Sequence, residues 1–285
     1  MPSEKLFLDL VKQKNKNLTK SEKLVVDYIL KNKEHSSYIS AGKISENVGV
    51  GESTVVRLAQ SLGYANFSQM KSSMQEEFIN HQLNKRMEQV NQTIDKNNIL
   101  FHSMNADVSN IQQTLDNINT YDFEAVVHLL GKAANIYSLG YRSSIADAHY
   151  LGVSLKKMLG NTFPITSNGV MLDHCLQTAD EECVIVAFSF PRYTKQTIEI
   201  ADYLKRNNKV NLVSITDSIK SPLVEISDYV FIASSNSFGP LYSHVSSMTL
   251  INALVASVGQ KYPERVEKNL NMEEEDVANR RIFYL

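Results

Sequence analysis

Along the first 75 residues the apolar positions recur every three to four residues, and from residue 136 onward that rhythm alternates with short unbroken apolar runs. A spacing of three to four lines one face of a helix, whereas an unbroken run rich in Val, Ile and Phe suits a strand covered on both faces. The runs are IYSLG (136–140), CVIVAFSF (183–190), VNLVSIT (210–216) and YVFIAS (229–234), and a weaker TFPIT (162–166) makes a fifth. Helical patterns such as SSIADAHYLGVSLKKML and TKQTIEIADYLKRNN separate them. Alternation of this kind predicts βαβ units, and hence a three-layer α/β/α domain around a five-stranded parallel sheet.

The first half reads differently. Proline occurs at Pro2 and not again until Pro164, so this half is free of internal helix breakers and is predicted to be all helical. LTKSEKLVVDYILKN opens with Thr19 and Glu22 at capping-box spacing and continues with Leu24, Val25, Tyr28 and Ile29 on one helical face. In YISAGKISENVGVGESTVVRLAQSLGY, Ser40 can cap a short helix to Asn47, Gly49 and Gly51 bracket a tight turn, and a second helix runs from Glu52 to Leu62. Two short helices joined by a glycine turn are the pattern of a helix-turn-helix. At about 100° per residue, Val55, Leu58, Ala59 and Leu62 fall on one side of the second helix, and Ser53, Val56, Arg57 and Gln60 on the other.

The second of those faces is the one that would enter a major groove. Lys43, Gly51, Glu52, Ser53, Thr54, Arg57 and Gln60 are the candidate DNA-contacting residues, Arg57 by a bidentate contact to guanine and the hydroxyls by contacts to phosphate. A helical hairpin with a merely solvated polar face has the same pattern, so spacing alone leaves both readings open.

Between the halves, NHQLNKRMEQVNQTIDKNN is polar and lacks Gly and Pro, and Val108, Ile111, Leu115 and Ile118 follow it at helical spacing. A connecting helix is expected. The resulting division is 1–77 for the helix-turn-helix domain, 78–120 for a helical linker and 121–285 for the α/β domain.

The chain has 285 residues, 43% of them hydrophobic, enough for two modest cores. No apolar run approaches the ~18 residues of a membrane span, and MPSEKLFLDLVKQ has no cleavable signal pattern, so a cytoplasmic protein without a membrane partner is expected. The net charge of -2 conceals an asymmetry: residues 1–75 carry 11 Lys+Arg against 7 Asp+Glu, a balance of +4, and the remainder carries 18 against 24, a balance of -6. A basic head on an acidic body points toward nucleic acid. Cys175 and Cys183 lie outside any CxxC and away from histidines at ligand spacing, so they read as reduced, buried thiols, with neither metal nor cofactor implied.

In an open α/β sheet, ligands sit at the carboxyl ends of the strands. Two such loops carry hydroxyls and one arginine each. In SLGYRSSIAD, Gly140 makes the turn, Tyr141 and Arg142 follow, and Ser143 and Ser144 open the helix; in SFPRYTKQT, Ser189, Arg192, Tyr193 and Thr194 are the counterparts. Free backbone N–H groups and hydroxyls at a helix start can hold an anion. The Ser and Thr residues could instead be simple N-caps beneath solvated arginines. GYRSSI lacks the second and third glycines of a dinucleotide fingerprint.

The two halves together resemble the RpiR family of bacterial transcriptional regulators, through LTKSEKLVVDYIL, VGVGESTVVRLAQSLGYANFSQMK, IYSLGYRSS, SFPRYTKQT and ITDSIKSPLVEISDYVF in family order. The resemblance implies a helix-turn-helix domain before a sugar isomerase (SIS) domain. It also implies a phosphosugar-responsive regulator that binds an inverted-repeat operator as a homodimer or tetramer through the SIS domain. Where family members commonly have Ser before the recognition helix, this chain has Gly51. Where many SIS loops read GxGxS and SxSGxT, Arg142 and Arg192 each replace a glycine and Pro191 replaces a serine. Guanidiniums add bidentate anion contacts of longer reach, which suits a ligand anionic at more than one point or a phosphate held farther from the strands.

SIS domains also occur as aldose-ketose isomerases, which need a general base; His149, His174 and His244 are candidates by residue type, and His244 is also placed among the ligand-binding residues. No carboxylate pair stands out in the loops, and no catalytic residue is assigned. A further alternative is a ligand-free dimerisation module, in which Leu250, Leu254 and Val258 on one helix face form an interface or pack on the sheet.

Overall fold

The chain divides between residues 94 and 95 into two units, and the computed structural model describes residues 7–78 of the first and 98–281 of the second. In the first unit α1 (Phe7–Lys14), α2 (Lys20–Lys31), α3 (Lys33–Tyr38), α4 (Ala41–Val48), α5 (Glu52–Leu62) and α6 (residues 67–78) enclose one core. Phe7, Val25, Ile29, Ile44, Val55, Leu58, Leu62, Met70 and Met74 are buried in it. The predicted inner face of α5 is therefore the observed one. Two apolar positions differ from expectation. Leu24 is exposed while Val26 is buried, and Val56, read as outward, is half-buried against the core. A small helical unit wraps its core around more than one side of each helix, so the inner arc of α2 and α5 is wider than a single stripe.

Glu22 ties the start of this unit together. It completes the capping box with Thr19, whose backbone N and Oγ1 each donate to Oε2 at 2.8 Å, and its Oε1 accepts from Ser61 Oγ on α5 at 2.6 Å. Burial pushes this carboxyl up, but the bonds from Ser61 and Thr19 and the charge of Arg57 outweigh that effect and hold it below the ordinary glutamate range. From α6, Lys71 Nζ donates to the Tyr38 carbonyl at 2.6 Å and Gln75 Nε2 to that of Ser37 at 2.7 Å, which satisfies the free carbonyls at the end of α3.

The second unit contains α7 (Ile99–Asn117), α8 (Thr120–Lys132), β1 (Ile136–Leu139), α9 (Ile145–Leu159), β2 (Thr162–Ile165), α10 (Val170–Thr178), β3 (Val184–Ser189), α11 (Lys195–Tyr203), β4 (Asn211–Thr216), β5 (Tyr229–Ile232), α12 (Val245–Lys261) and α13 (Pro263–Arg280). All five predicted strands form, in the order β2-β1-β3-β4-β5 and parallel throughout. Alternate residues of β3 point to opposite cores: Val184, Val186 and Phe188 pack with α8, α9 and α12, and Ile185 and Ala187 with α10 and α11. These are the three layers of an α/β/α domain.

Leu250, Leu254 and Val258 belong to the first of these cores, so that face of α12 packs on the sheet and is not an interface. Of the connecting segment read over 78–120, residues 79–97 lie outside the described residues, and α7 packs within the second unit. Cys175 and Cys183 are free and buried; burial and the neighbouring Cys183 push the Cys175 thiol up to about 12. No described helix is long and apolar enough to cross a membrane.

Glu22→Ala should destabilise the first unit by about 2 kcal/mol, the sum expected for one capping interaction and one charge-assisted hydrogen bond. Because the folded carboxyl titrates below its unfolded value, its contribution is complete above the ordinary glutamate range and is lost as pH falls through the lowered value. Denaturant melts across acid pH should therefore show the advantage of wild type over Glu22→Gln shrinking on acidification.

Candidate functional site

β1 and β3 are neighbours, with Leu139 opposite Ala187, so the loops that follow them leave the sheet side by side. The chain order reverses there, since β1 connects outward to β2 on one side while β3 lies on the other. This is the switch point at which open α/β sheets bind ligands. In the first loop a side chain at Gly140 would stand 2.4 Å from the Ser144 carbonyl oxygen, so only glycine fits the turn. A short 3-10 turn over Arg142–Ser144 then leads into α9. In the second loop, Phe190 and Tyr193 are buried and Thr194 stands at the N-cap of α11.

Both loop arginines occupy the left-handed region, Arg142 with φ 58° and Arg192 with φ 76°. A side chain there costs roughly 1–2 kcal/mol per residue, and these are the two positions where the resemblance leads one to expect glycine. Both side chains are exposed. The hydroxyls beneath them are equally unusual. Ser144 and Thr194 occupy N-cap positions without making a capping bond, and the buried Ser189 Oγ and Thr197 Oγ1 have no partner among the described residues. Buried hydroxyls are ordinarily satisfied, so open ones at a helix start stand out from the rest of the fold.

Tyr141 is turned inward. Burial raises its phenol, which stays protonated and donates to Asn168 Oδ1 at 3.1 Å; Gln196 Nε2 donates to the same oxygen. Ser143 is exposed beside Arg142.

His244, from the distant start of α12, reaches this site through Phe190, with ring centroids 4.8 Å apart in an edge-on arrangement. Its Nδ1 lies 2.6 Å from Oδ2 of the fully buried Asp147, whose other oxygen accepts from Ser247 Oγ. An ionised carboxylate only accepts, so this bond is made by an Nδ1–H of the imidazole. His149 and His174 are exposed on α9 and α10, away from this arrangement. Asp147, Ser247, Thr197 and Asn168 were not singled out from the sequence; the i to i+3 spacing of His244 and Ser247 was the one local signal available. Among the described residues no group of three His, Cys, Asp or Glu side chains is placed to hold a metal ion.

In the first unit, α4 starts at Ser40, whose side chain accepts from the Lys43 amide at 3.1 Å, and ends at Gly49 in the left-handed region with φ 76°. Gly51 precedes α5 without a side-chain cap. Ser53, Arg57 and Gln60 are exposed along α5, and Thr54 is half-buried. The Arg57 guanidinium folds back to the Ser53 carbonyl, with Nε at 3.2 Å. Lys43 pairs with Glu46 at 3.0 Å, and the Glu52 carboxylate lies beside Gly42 in the first turn of α4, where a negative charge is favourable.

A helix-turn-helix unit followed by a sugar isomerase-type domain defines a class of DNA-binding regulators. Residues 5–81 match the helix-turn-helix domain of the rpiR family, and residues 129–257 match the SIS domain. The chain belongs to the RpiR family and is a transcriptional regulator. It is 26% identical over 264 residues to an uncharacterized HTH-type transcriptional regulator of Clostridium perfringens, an overlap of 88% of this chain and 92% of that one. Among solved structures it is similar to the sugar isomerase domain of an RpiR transcription factor from Sphaerobacter thermophilus (TM-score 0.59, 26% identity, 62% of this chain and 99% of that one). It also shares the fold of the Vibrio vulnificus NanR protein complexed with ManNAc-6P (TM-score 0.69, 23% identity, 96% and 98% coverage).

If the left-handed arginines are strained, replacing them with glycine should stabilise the ligand-free protein. Glycine removes the steric cost but adds unfolded-state entropy, so Arg142→Gly and Arg192→Gly should each gain about 1 kcal/mol at most, or ~2–4 °C in the melting temperature of the second unit. Differential scanning calorimetry without ligand measures this directly; a lower melting temperature would show that the arginines hold the loops together.

Proposed function

We propose that the protein regulates genes of sugar metabolism by binding an inverted-repeat operator through α5 and by sensing a phosphorylated sugar, or a related anionic sugar, at the carboxyl ends of β1 and β3. The observation that carries the effector reading is the pair of exposed arginines in left-handed backbone above open hydroxyls at Ser144, Ser189, Thr194 and Thr197. Backbone strain that persists at a strand-end loop is a feature of ligand sites. The phosphosugar in the NanR structure supports the ligand class.

In this reading the hydroxyls and the helix-start amides hold the phosphate, and the two guanidiniums grip it or a second anionic group from above. His244, held by Asp147, offers Nε2 as an acceptor to a sugar hydroxyl. Gly140, Tyr141 and Tyr193 shape the loops. On the DNA side, Ser53, Thr54, Arg57 and Gln60 face the groove, with Arg57 released from Ser53 to reach a base. Lys43 and the amide following Gly51 meet phosphates, and Glu52 stays turned toward α4.

The Asp147–His244 couple also favours a second reading, an isomerase in which Nε2 serves as the base. NMR of aldose phosphates incubated with the protein separates the two: conversion to the ketose form would establish turnover, and its absence with binding intact would leave the sensor.

Arg57→Ala should weaken operator binding by about 1–3 kcal/mol and relax preference at one base pair per half-site, with thermal stability almost unchanged, as measured by fluorescence anisotropy. A panel of sugar phosphates, phosphorylated aldonic acids and inorganic phosphate should contain a ligand that raises the melting temperature of the wild type. Arg192→Gly should weaken that ligand more than tenfold, from loss of roughly 1.5–3 kcal/mol, and uncouple it from DNA affinity while ligand-free operator binding stays intact. Arg192→Lys should recover only part of the loss.

A further inference from the structure

The loop that follows β2 holds the one Asn-Gly step in the chain, Asn168–Gly169. Both residues are exposed, and a side chain at Gly169 would meet nothing within 4 Å. Gly169 stands at the N-cap of α10, where its carbonyl accepts from the Asp173 amide at 3.1 Å, while its own amide has no hydrogen bond to another described residue. The nitrogen is therefore open to react. A peptide nitrogen that follows asparagine can close a succinimide ring on the side-chain amide carbon, and a Cβ on the following residue crowds that approach, which glycine leaves clear.

The carbon under attack is activated by its neighbours. Asn168 Oδ1 accepts from the Tyr141 phenol at 3.1 Å and from Gln196 Nε2. Tyr141 is buried just past the end of β1 and Gln196 lies in the first turn of α11, so one side chain bridges both strand-end loops. Two donors on a single carbonyl oxygen draw electron density from Cγ and stabilise the negative charge that develops on that oxygen when a nucleophile adds. Burial raises the phenol, so Tyr141 remains a donor under the mildly alkaline conditions that favour a deprotonated peptide nitrogen. The Nδ2 group of Asn168 has no hydrogen bond to a described residue, and nothing there holds it against departure.

We propose that Asn168 is a site of self-modification. The deprotonated Gly169 nitrogen attacks Asn168 Cγ, the bond from Cγ to Nδ2 breaks, and the departing nitrogen takes up a proton from water and leaves as ammonia. Water then opens the succinimide to aspartate or isoaspartate. The reaction needs no oxidant and no further reactant. It puts a carboxylate where a neutral amide stood, bonded across the loops that carry Arg142 and Arg192, and so costs an aged molecule its affinity for an anionic effector. That last consequence rests on the anion site read at the strand ends; the chemistry at residue 168 does not.

Incubating the full chain in mildly alkaline heavy-oxygen water, then digesting it and weighing the peptide that holds residue 168, tests the reaction without any variant. Asn168 should convert ahead of every other asparagine of the chain, with label from ring opening in the product and isoaspartate among its isomers. Tyr141→Phe, shown to be folded by circular dichroism, should slow conversion by about tenfold through loss of one donor to the developing charge. Asn168→Asp should bind the sugar phosphate that stabilises wild type about tenfold more weakly, from the added like charge. An Asn168 that stays intact while other asparagines convert, or a folded Tyr141→Phe that converts as fast as wild type, would overturn the proposal. Equal effector affinity in Asn168→Asp would overturn the loss of response. Conversion at 168 in a wild type that no sugar phosphate, phosphorylated aldonic acid or inorganic phosphate stabilises would sink the strand-end reading and uphold the modification.

Discussion

The position of β1 governs most of what lies above it. All four of its residues are buried, it pairs with β2 on one side and β3 on the other, and α9 lies across it. That approach depends on Gly152, where a Cβ would stand 2.6 Å from Ser138 Oγ on β1 and 2.9 Å from Pro164 on β2. Close seating of α9 brings its start, Ser144 and Asp147, over the ends of β1 and β3. A bulkier residue at 152 would lift the helix and carry away both the Ser144 hydroxyl and the Asp147 carboxylate that orients His244. Tight interiors transmit such displacements because they have little free volume to absorb them.

Much of this architecture is legible in the chain itself. Strands buried on both faces require apolar runs, and every such run from IYSLG to YVFIAS became a strand within a residue or two of its expected ends. The capping box at Thr19 and Glu22 and the glycine turn at Gly49 are local devices whose partners lie within a few residues, and both formed. Properties set by tertiary neighbours were hidden. Leu24 and Val26 differ little in hydropathy, and only the packing of the other helices decides which one is covered. The bond from His244 to Asp147 joins residues 97 apart, beyond any sequence period. Arginine at 142 and 192 could be read as a cation near an anion site, but the left-handed backbone could not, since nothing in an arginine announces a positive φ.

The same contrast separates the two candidate surfaces. On α5 the outward residues are set by helical geometry alone, because the opposite face is fixed in the core, so Ser53, Arg57 and Gln60 could be placed before the structure was known. At the strand ends, helical geometry brings only one loop at a time into view. The sheet order sets the two loops side by side at the switch point, so the unpartnered hydroxyls of Ser189 and Thr197 and the Arg142 loop belong to the same end of the sheet.

Asp107, Asn110 and Thr114 seat α7 on its domain by hydrogen bonds to the segment between β5 and α12, and this seat has a mechanical consequence. A helix held by an apolar face resists displacement, since every ångström of movement exposes surface to water; one held by amide and hydroxyl groups can exchange those bonds for water at a net cost near 1 kcal/mol each. α7 is therefore among the softer attachments in its unit. The segment it grips, from Ser234 to Ser243, leads directly into His244 at the strand-end site. A pull on that segment from the imidazole side would be relieved more readily by a shift of α7 than by deformation of the sheet, whose strands are buried on both faces.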